Sequence, residues 1–352
     1  TTTPLFDNNR YRQNIENAYE MMAEKARAGV RPENIAVANN HSLEGGALEK
    51  GLGYAIPQTG RVKPRIVVAG VARDCEPHLP AVLSNIERIA AQASECGFIF
   101  VENDSTDGTK DIITHWGRHK PHFEFINVDG LHLVPARTVR LEIARNIYLE
   151  LLRSHAVFGG FDYVVVIDMD DANVYPIDAD CFNSAIDFIS AGKTRAGIFA
   201  NQVGFYYDMW AFRHPVLCPG DVWDEVSDYA RQELASDEKA FDVKFASRMT
   251  RFKTDAERFL VYSAFGGLGI YKMPYVLNNP NPYLGSKVKL IKDPEGAWQT
   301  SRVQVCEHVH FHEGIRLRGG ELFIDPGLVN GVYSENPKIN KSAFKGMLIQ
   351  QM

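Results

Sequence analysis

Short runs of β-branched residues alternate with amphipathic segments between residues 65 and 167, and this alternation constrains the fold more than any other feature. The strand-like runs are predicted at 65–71, 98–101, 123–128 and 161–167. The segments between them have apolar residues at helical spacing and are predicted as helices over 77–93, 109–116 and 138–154. Apolar strands that alternate with helices are typical of a parallel sheet buried on both faces. We therefore predict an α/β fold with a mainly parallel, Rossmann-like sheet flanked by helices.

The pattern is less regular outside this part of the chain. A helix is predicted over 8–28, within an extension that runs to residue 63. Further on, a helix is predicted over 180–190, and strands are predicted over 197–202 and 302–311. The charged stretch 221–258 has no clear period, and the residues after 320 read as loop. We expect the C-terminal part of the chain to be rich in loops.

Composition and charge exclude several classes of protein. The chain has 352 residues and a net charge of −6, from 38 Lys and Arg against 44 Asp and Glu. This balance gives no overall attraction to nucleic acid, so we expect no nucleic-acid partner. The five cysteines are scattered and contain no C-x-x-C pair, which argues against a disulfide scaffold or a structural zinc site.

An acidic cluster, Asp168-Met169-Asp170-Asp171, directly follows the fourth predicted strand. In open α/β sheets ligands bind at the carboxyl ends of the strands, so chemistry is expected here. Three carboxylates within four residues repel one another unless a cation or several donors neutralise them. Carboxylate oxygens suit Mg²⁺ or Mn²⁺, and the cluster favours such a metal. The alternative is a solvated acidic turn that caps the next segment.

The first two predicted strands also end in residues suited to a ligand. Ala72 would let a planar base approach the backbone, and Arg73 is either a phosphate partner or a surface charge. The turn after the second strand contains Glu102 and Asp104, which are candidates for hydrogen bonds to a base or a ribose. The alternative is that these residues only shape the turn and cap the next helix.

Arginines accompany the predicted helix 138–154. Arg137, Arg140 and Arg145 carry guanidinium groups, which suit planar contacts to phosphate. The alternative is a solvated helix face with local ion pairs.

Three histidines alternate near the predicted strand 302–311. A period of two would place His308, His310 and His312 on one face. We expect at least one of them to bind a metal or a phosphate group.

The strand-ending acids, the turn Asn103-Asp104-Ser105-Thr106-Asp107-Gly108-Thr109 and a C-terminal histidine together resemble nucleotide-sugar glycosyltransferases of the GT-A fold. The likeness extends over residues 65–315. A narrower set of motifs is similar to the fungal capsule-associated α-1,3-mannosyltransferase family and its bacterial and viral relatives. Those motifs are Arg140-x4-Arg145-Asn146, Phe161-Asp162-Tyr163, the segment 205–213 and Cys306-Glu307-His308. The acidic triplet is denser here, and Cys-Glu-His stands where that family has Ser-Glu-Cys.

The resemblance implies a division of the chain and a set of site residues. It implies an N-terminal helical extension over 1–63, a nucleotide-sugar-binding half over 64–175, and an acceptor-binding half with a C-terminal tail over 176–352. The residues implied to contact the donor are Ala72, Arg73, Glu102, Asp104, Arg140, Arg145 and Asp168. Asp168, Asp170 and His308 would hold Mn²⁺ or Mg²⁺, which neutralises the leaving diphosphate. Tyr207, Asp208, Trp210 and Arg213 would lie on the acceptor side.

The implied reaction moves a sugar from GDP-mannose or a UDP-sugar to a glycan or a lipid-linked acceptor. Inversion needs a general base, for which Asp208, Asp224 and Glu307 are candidates, whereas retention needs mainly the metal and a positioned acceptor. The likeness to the capsule-associated family favours retention. Two alternatives stay open: a phosphatase of the haloacid-dehalogenase type, whose acids follow the first strand of the domain, and a non-catalytic sugar-nucleotide-binding protein.

Two further expectations concern location and assembly. Asn103-Asp104-Ser105 is an N-glycosylation pattern, and a glycan there would block the predicted nucleotide site. This favours a cytoplasmic enzyme. A lipid-linked acceptor would bring it to a membrane surface as a peripheral protein, and a homodimer is compatible with the sequence.

Overall fold

The computed structural model of the protein describes residues 62–292 and 296–334. The predicted extension over 1–63, with its helix 8–28, lies almost wholly outside the described residues, as does the chain after 334. The elements are, in chain order, β1 (Arg65–Ala72), α1 (Leu79–Ala90), β2 (Glu95–Glu102), α2 (Thr109–Gly117), β3 (Phe123–Asn127), α3 (Arg137–Ser154), β4 (Tyr163–Asp168), α4 (Ala179–Ala191), β5 (Arg195–Gly204), α5 (Val222–Gln232), α6 (Asp237–Lys244), β6 (Phe259–Val261), β7 (Leu268–Lys272), α7 (Met273–Leu277), β8 (Ser286–Lys292), β9 (Trp298–Gln304), α8 (Glu307–Leu317) and β10 (Glu321–Tyr333).

Within the described residues, eight strands form one sheet in the order β3-β2-β1-β4-β7-β5-β10-β6, and β8 pairs with β9 in a separate antiparallel hairpin. β3, β2, β1 and β4 are parallel to their neighbours in that group. β7 runs antiparallel between β4 and β5, and β10 is parallel to β5. The predicted α/β fold with a mainly parallel sheet is therefore confirmed. Strands from both predicted halves of the chain belong to this one sheet.

Each face of the sheet is covered by helices, because alternate residues of the central strands point to opposite sides. Ile66 and Val68 of β1 belong to a core shared with α1, α2 and α4. Val67 and Ala69 belong to a second core, shared with α3 and α8. Burial on both faces explains why β1 reads as a continuous apolar run.

The parallel register brings the predicted site residues to one edge of the sheet. Val71 of β1 is paired with Asp168 of β4, and Ala72 is paired with Glu102 of β2. The carboxyl ends of β1, β2 and β4 thus lie side by side.

The prediction of a strand over 302–311 is wrong for its second half. β9 ends at Gln304, and α8 begins at Glu307 with Cys306 as the residue before its first turn. The alternating pattern in the sequence spans the end of a strand and the start of a helix. A period of two therefore does not place the three histidines on one face.

One further prediction for the C-terminal part is wrong. The segment after residue 320 is not a loop, because β10 continues through Pro326 with register shifts between Ile324 and Val329. Such irregular pairing accommodates a proline that cannot donate to the ladder. The charged stretch 221–258 contains α5 and α6. Most of their residues are polar and exposed, so the few buried positions give no clear period in the sequence; these are Val222, Val226, Ala240 and Phe241.

None of the helices in the part of the chain that the structure describes is both long enough and apolar enough to cross a bilayer.

Candidate active site

A cavity of about 520 Å³ lies at the carboxyl ends of β1 and β4. It is bounded by side chains from α3, from the segments after β4 and β5, and from the start of α8. Of the residues singled out in the sequence for catalysis, nucleotide or metal, nine line it: Ala72, Arg73, Arg140, Arg145, Asp168, Asp170, Asp208, Glu307 and His308. Residues that are far apart in the chain therefore converge on one site.

The acidic cluster forms one wall of the cavity. Asp168 is the last residue of β4, and its backbone N–H donates to the carbonyl of Gly267 at 2.8 Å. Asp170 caps a short 3-10 turn, where its Oδ1 accepts from the N–H of Ala172 at 3.2 Å. Burial, followed by the charge of Asp168, raises the pKa of Asp170 to about 6. This shift means that negative charge at Asp170 is incompletely compensated by its protein neighbours.

Arg145 is the buried cation of the site, with only 2% of its surface exposed. Its Nη2 donates to Oδ1 of Asp168 at 2.9 Å, and its Nε donates to Oε1 of Glu307 at 2.9 Å. The guanidinium also lies over the ring of Phe265, 5.1 Å from its centroid. Asp168 is thus oriented by a cation, and Glu307 is neutralised by the same group.

A second set of arginines also contributes to the cavity. Arg73, Arg137 and Arg140 all line the cavity. Burial and then the nearby charges of Arg73 and Arg137 lower the pKa of Arg140. Arg140 is held in place because its Nη1 donates to the carbonyl of Val134 at 2.6 Å. Three neighbouring guanidinium groups beside an acidic cluster can bind a polyanion such as a diphosphate.

Asp208 is half-buried, lines the cavity and has no guanidinium or ammonium partner among the described residues. Its carboxylate accepts from the N–H of Ala211 at 3.2 Å and from the N–H of Gly266 at 3.1 Å. Burial raises the pKa of Asp208 to about 6, although the two backbone donors partly offset it. A carboxyl group with this pKa can exchange a proton near neutral pH.

The loop that supplies the Gly266 donor requires glycine. Gly266 has φ +64 and Gly267 has φ +81, in the left-handed region that other residues rarely adopt. A Cβ on Gly267 would come within 2.9 Å of the Cβ of Ala172. This close approach fixes the loop against the acidic cluster.

The helical structure of α8 separates the three histidines. His308 lines the cavity, and His312 lies one turn further along the same face, whereas His310 is half-buried beside Asn281. His312 is satisfied internally, because its Nδ1 lies 2.8 Å from the Ser263 hydroxyl and its Nε2 lies 2.8 Å from the Tyr271 hydroxyl.

His308 is different from His312. It is 2% exposed and stacks on Phe265 with ring centroids 3.9 Å apart. Neither of its ring nitrogens has a hydrogen-bond partner among the described residues. Burial lowers its pKa well below the usual range, which keeps the imidazole neutral and able to offer a lone pair.

Glu102 and Asp104 do not belong to the cavity lining, within the part of the chain that the structure describes. Glu102 is fully buried, and its Oε1 accepts from the N–H of Ser105 at 2.6 Å. The carboxylate of Asp104 accepts from the N–H of Gly130 at 2.7 Å and from the N–H of His132 at 2.8 Å. Both acids therefore shape the turn after β2, and their neighbour Asn103 lines the cavity instead.

Several lining residues were not singled out as site residues in the sequence. Phe265 forms the apolar floor under Arg145 and His308, and Tyr333 at the end of β10 stacks on Tyr207 with centroids 5.0 Å apart. Tyr333 is brought to the site only because β10 pairs with β5, where it faces Gly204. No local signal in the sequence marks either residue.

The residues present fit a divalent cation that is only partly held by protein. No group of three or more His, Cys, Asp and Glu side chains in the described residues could enclose a metal ion. Mg²⁺ and similar ions are commonly bound by one or two carboxylates together with phosphate oxygens and water. Asp170, with its incompletely compensated charge, and His308, with its unpartnered nitrogens, are suited to that partial role.

No protein-family profile and no curated protein sequence matches the chain. Solved structures similar to it include the mannosyltransferase PcManGT from Pyrobaculum calidifontis in complex with GDP-Man and Mn²⁺, at 16% identity over 80% of this chain and 60% of that one, with a TM-score of 0.41. S. aureus TarS 1–349 in complex with UDP-GlcNAc is 13% identical over 79% of this chain and 61% of that one, with a TM-score of 0.41. Glucosyl-3-phosphoglycerate synthase from Mycobacterium tuberculosis in complex with UDP is 12% identical over 80% of this chain and 75% of that one, with a TM-score of 0.37.

The chain spans about 60% of the length of the first two of these proteins. At such identities and TM-scores the likeness does not support a conclusion about activity. The case for a function therefore rests on this chain's own residues.

Proposed function

We propose that this protein is a metal-dependent glycosyltransferase that moves a sugar from a nucleotide-diphosphate sugar to a glycan or a lipid-linked acceptor. GDP-mannose and UDP-sugars are the donors we favour. The observation that carries the proposal is the pairing, in one cavity, of the Asp168–Asp170 acids with the arginines Arg73, Arg137 and Arg140 at the carboxyl edge of a parallel sheet. Acids for a divalent cation and guanidinium groups for a diphosphate are the two requirements of such a donor.

The donor would lie across the ends of β1 and β4. Ala72, which ends β1 and is buried, leaves room for the nucleoside, and the three arginines would bind the phosphate oxygens. Asp170, with Asp168 next to it in the chain and His308 from the same cavity, would hold Mn²⁺ or Mg²⁺, which when bound neutralises charge on the leaving diphosphate. Arg145 keeps Asp168 oriented toward this place.

Asp208 is the candidate for a direct catalytic role on the acceptor side. Its raised pKa and its freedom from a cationic partner in the described residues suit it to orient or deprotonate an acceptor hydroxyl. Glu307, the other catalytic candidate, is paired with Arg145, so we assign it a positioning role. Support for retention comes from the likeness to the capsule-associated family, and the anomeric configuration of the product, read by proton NMR, tests it.

The proposal is tested by a thermal-shift panel of UDP-, GDP-, CMP- and dTDP-sugars with and without Mn²⁺. A ligand at about 100 times its Kd stabilises the native state by about 2.7 kcal/mol, which is readily seen as a rise in Tm. We expect one nucleotide class to raise Tm only when Mn²⁺ is present. Asp170→Asn should abolish the rise, and Asp255→Asn, which alters an exposed acid outside the cavity lining, should keep it.

The same panel addresses the two alternatives. Hydrolysis of a generic phosphate ester without sugar-nucleotide binding would indicate a phosphatase of the haloacid-dehalogenase type. Against that reading, the acidic cluster 168–171 follows β4, whereas β1 is followed by Arg73 and a single aspartate, Asp74. Binding of a sugar nucleotide without turnover on any acceptor would indicate a non-catalytic binding protein.

We propose a cytoplasmic location, with the acceptor drawn from a glycan or a lipid-linked sugar at a membrane surface. A homodimer stays a proposal, and size-exclusion chromatography with light scattering tests it.

A further inference from the structure

The β8–β9 hairpin carries an unusual concentration of exposed apolar side chains. Val288, Leu290 and Trp298 are each 66% exposed. In an antiparallel pair, directly opposite residues share a face, and here Lys292 is opposite Trp298, Leu290 opposite Thr300 and Val288 opposite Arg302. We call these six residues the hairpin face: Val288, Leu290, Lys292, Trp298, Thr300 and Arg302. Large apolar side chains grouped in this way mark an interaction surface.

The opposite face of the hairpin is held against the protein. Lys287 and Lys289 place their Nζ atoms 3.4 Å and 2.7 Å from Oδ2 of Asp224 in α5. These ion pairs fix the orientation of the hairpin relative to α5. The hairpin face is therefore on the side of the hairpin that points away from α5.

We propose that the hairpin face docks on a lipid bilayer that contains anionic headgroups. Its chemistry is that of an interfacial surface, in which apolar side chains and a tryptophan enter the headgroup region while Lys and Arg reach the phosphates. The Nζ of Lys292 lies 5.0 Å from the centroid of the Trp298 ring, so charge and apolar surface are contiguous. Lys292 and Arg302 give the hairpin face a local positive charge, which attracts this face to an anionic surface although the whole chain has a net charge of −6.

The hairpin is anchored next to the candidate active site. The hydroxyl of Thr138, in the first turn of α3, lies 2.6 Å from the carbonyl of Gly285 and 3.0 Å from Oε1 of Gln304, at the base of the hairpin. The neighbouring residue Arg137 lines the cavity. A docked bilayer would thus lie beside the cavity, which suits a lipid-linked acceptor; this last link rests on the proposed function, whereas docking itself does not.

The test is co-sedimentation of the full chain with vesicles of phosphatidylcholine and phosphatidylglycerol at about 3:1, and with phosphatidylcholine alone. We expect binding to the anionic vesicles, with a blue shift of tryptophan emission. The triple variant V288T/L290T/W298T should bind at least about tenfold more weakly, because three apolar side chains no longer enter the interface. The double variant K292Q/R302Q should lose the preference for anionic vesicles. Leu317→Gln, at another exposed apolar residue, is the matched control and should bind like the wild type.

Unchanged binding in the triple variant, or absence of vesicle binding by the wild type, would overturn the proposal. A concentration-dependent dimer that the triple variant loses, without vesicle binding, would assign the hairpin face to a second copy of the chain and would also overturn it. Circular dichroism and Tm of each variant show whether it is folded. Donor binding measured without vesicles reports on the proposed function separately, so the two failures are distinguishable.

Discussion

Nη2 of Arg145 lies 2.9 Å from Oδ1 of Asp168, so a cation from the middle of α3 holds the last residue of β4. The same guanidinium donates to Glu307 at the start of α8. One buried side chain therefore connects a strand and two helices around the cavity. It also divides the acids into two kinds: Asp168 and Glu307 are charge-paired, whereas Asp170 and Asp208 have pKa values raised to about 6.

Replacing Arg145 by Met should destabilise the fold strongly. The change would leave the buried carboxylate of Glu307 without its partner, and breaking a buried pair in this way costs about 3–5 kcal/mol. Urea unfolding measures the loss. The double variant R145M/E307L should recover part of the stability, because it removes the buried carboxylate of Glu307, although Asp168 still lacks its cationic partner. Donor binding should still be lost, since Asp168 is no longer oriented. A double variant as unstable as the single one would contradict this account.

Asp170→Asn should stabilise the protein at neutral pH. The pKa of Asp170 is raised by burial and by Asp168 from 3.8 to about 6, so the folded state holds the proton more tightly than the unfolded state does. Stability from this carboxyl is therefore present below pH 3.8, falls as pH rises toward 6, and is constant above that. Asn does not ionise, so the variant should gain about 1–3 kcal/mol relative to the wild type above pH 6 and almost nothing near pH 4.

Urea midpoints at pH 4.5 and pH 7.5 measure this difference. Asp255→Asn, the same acid-to-amide change at an exposed residue outside the cavity lining, is again the control. A variant that is less stable than the wild type at pH 7.5 would show that the carboxylate of Asp170 stabilises the native state.

Replacing each of the two buried histidines of α8 by phenylalanine should change the free energy of unfolding by different amounts. His312→Phe removes the partner of both the Ser263 and the Tyr271 hydroxyls and should cost about 1–3 kcal/mol for each group left unpaired. His308→Phe keeps the stack on Phe265 and removes nitrogens that have no partner in the described residues, so stability should stay within about 1 kcal/mol. Only His308→Phe should abolish the Mn²⁺-dependent rise in Tm without prior loss of stability. If it is as destabilising as His312→Phe, then His308 has a structural role.

The first half of the sheet could be predicted from the sequence because its elements have strong local periodicity. The buried strand β1 is a continuous apolar run, and α1 has Leu79, Val82 and Ile86 on one face. Since parallel strands end at the same edge, the convergence of Arg73 and Asp168 followed from the order of the elements alone.

In the second half, α4 and β5 agree with the predicted helix 180–190 and strand 197–202, but most elements after β5 could not be predicted because they depend on contacts that are distant in the chain. β10 tolerates Pro326 through irregular pairing with β5, and the junction of β9 with α8 imitates a single alternating strand. Burial of Arg145 is also not visible in the local sequence, since α3 contains four arginines and only the positions of Asp168 and Glu307 distinguish the one that is paired with them. The environment of His308 is likewise not visible in the local sequence, because its ring stacks on Phe265 from the segment between β6 and β7.

Asp104 provides a test of whether an acid at a strand end binds ligand or builds the turn. Its backbone has φ 50. The backbone N–H of Gly130, the imidazole and backbone N–H of His132, and the side-chain amide of Asn103 lower its pKa. Because the folded pKa is depressed, the stabilisation is present above the usual carboxyl range and is lost as pH falls below it. Asn tolerates this backbone conformation, so Asp104→Asn removes mainly the charge. We expect a lower urea midpoint at pH 7, a smaller difference from the wild type as the solution is acidified, and unchanged affinity for the donor in calorimetry. Loss of donor affinity with an unchanged urea midpoint would instead indicate that Asp104 contacts the nucleotide.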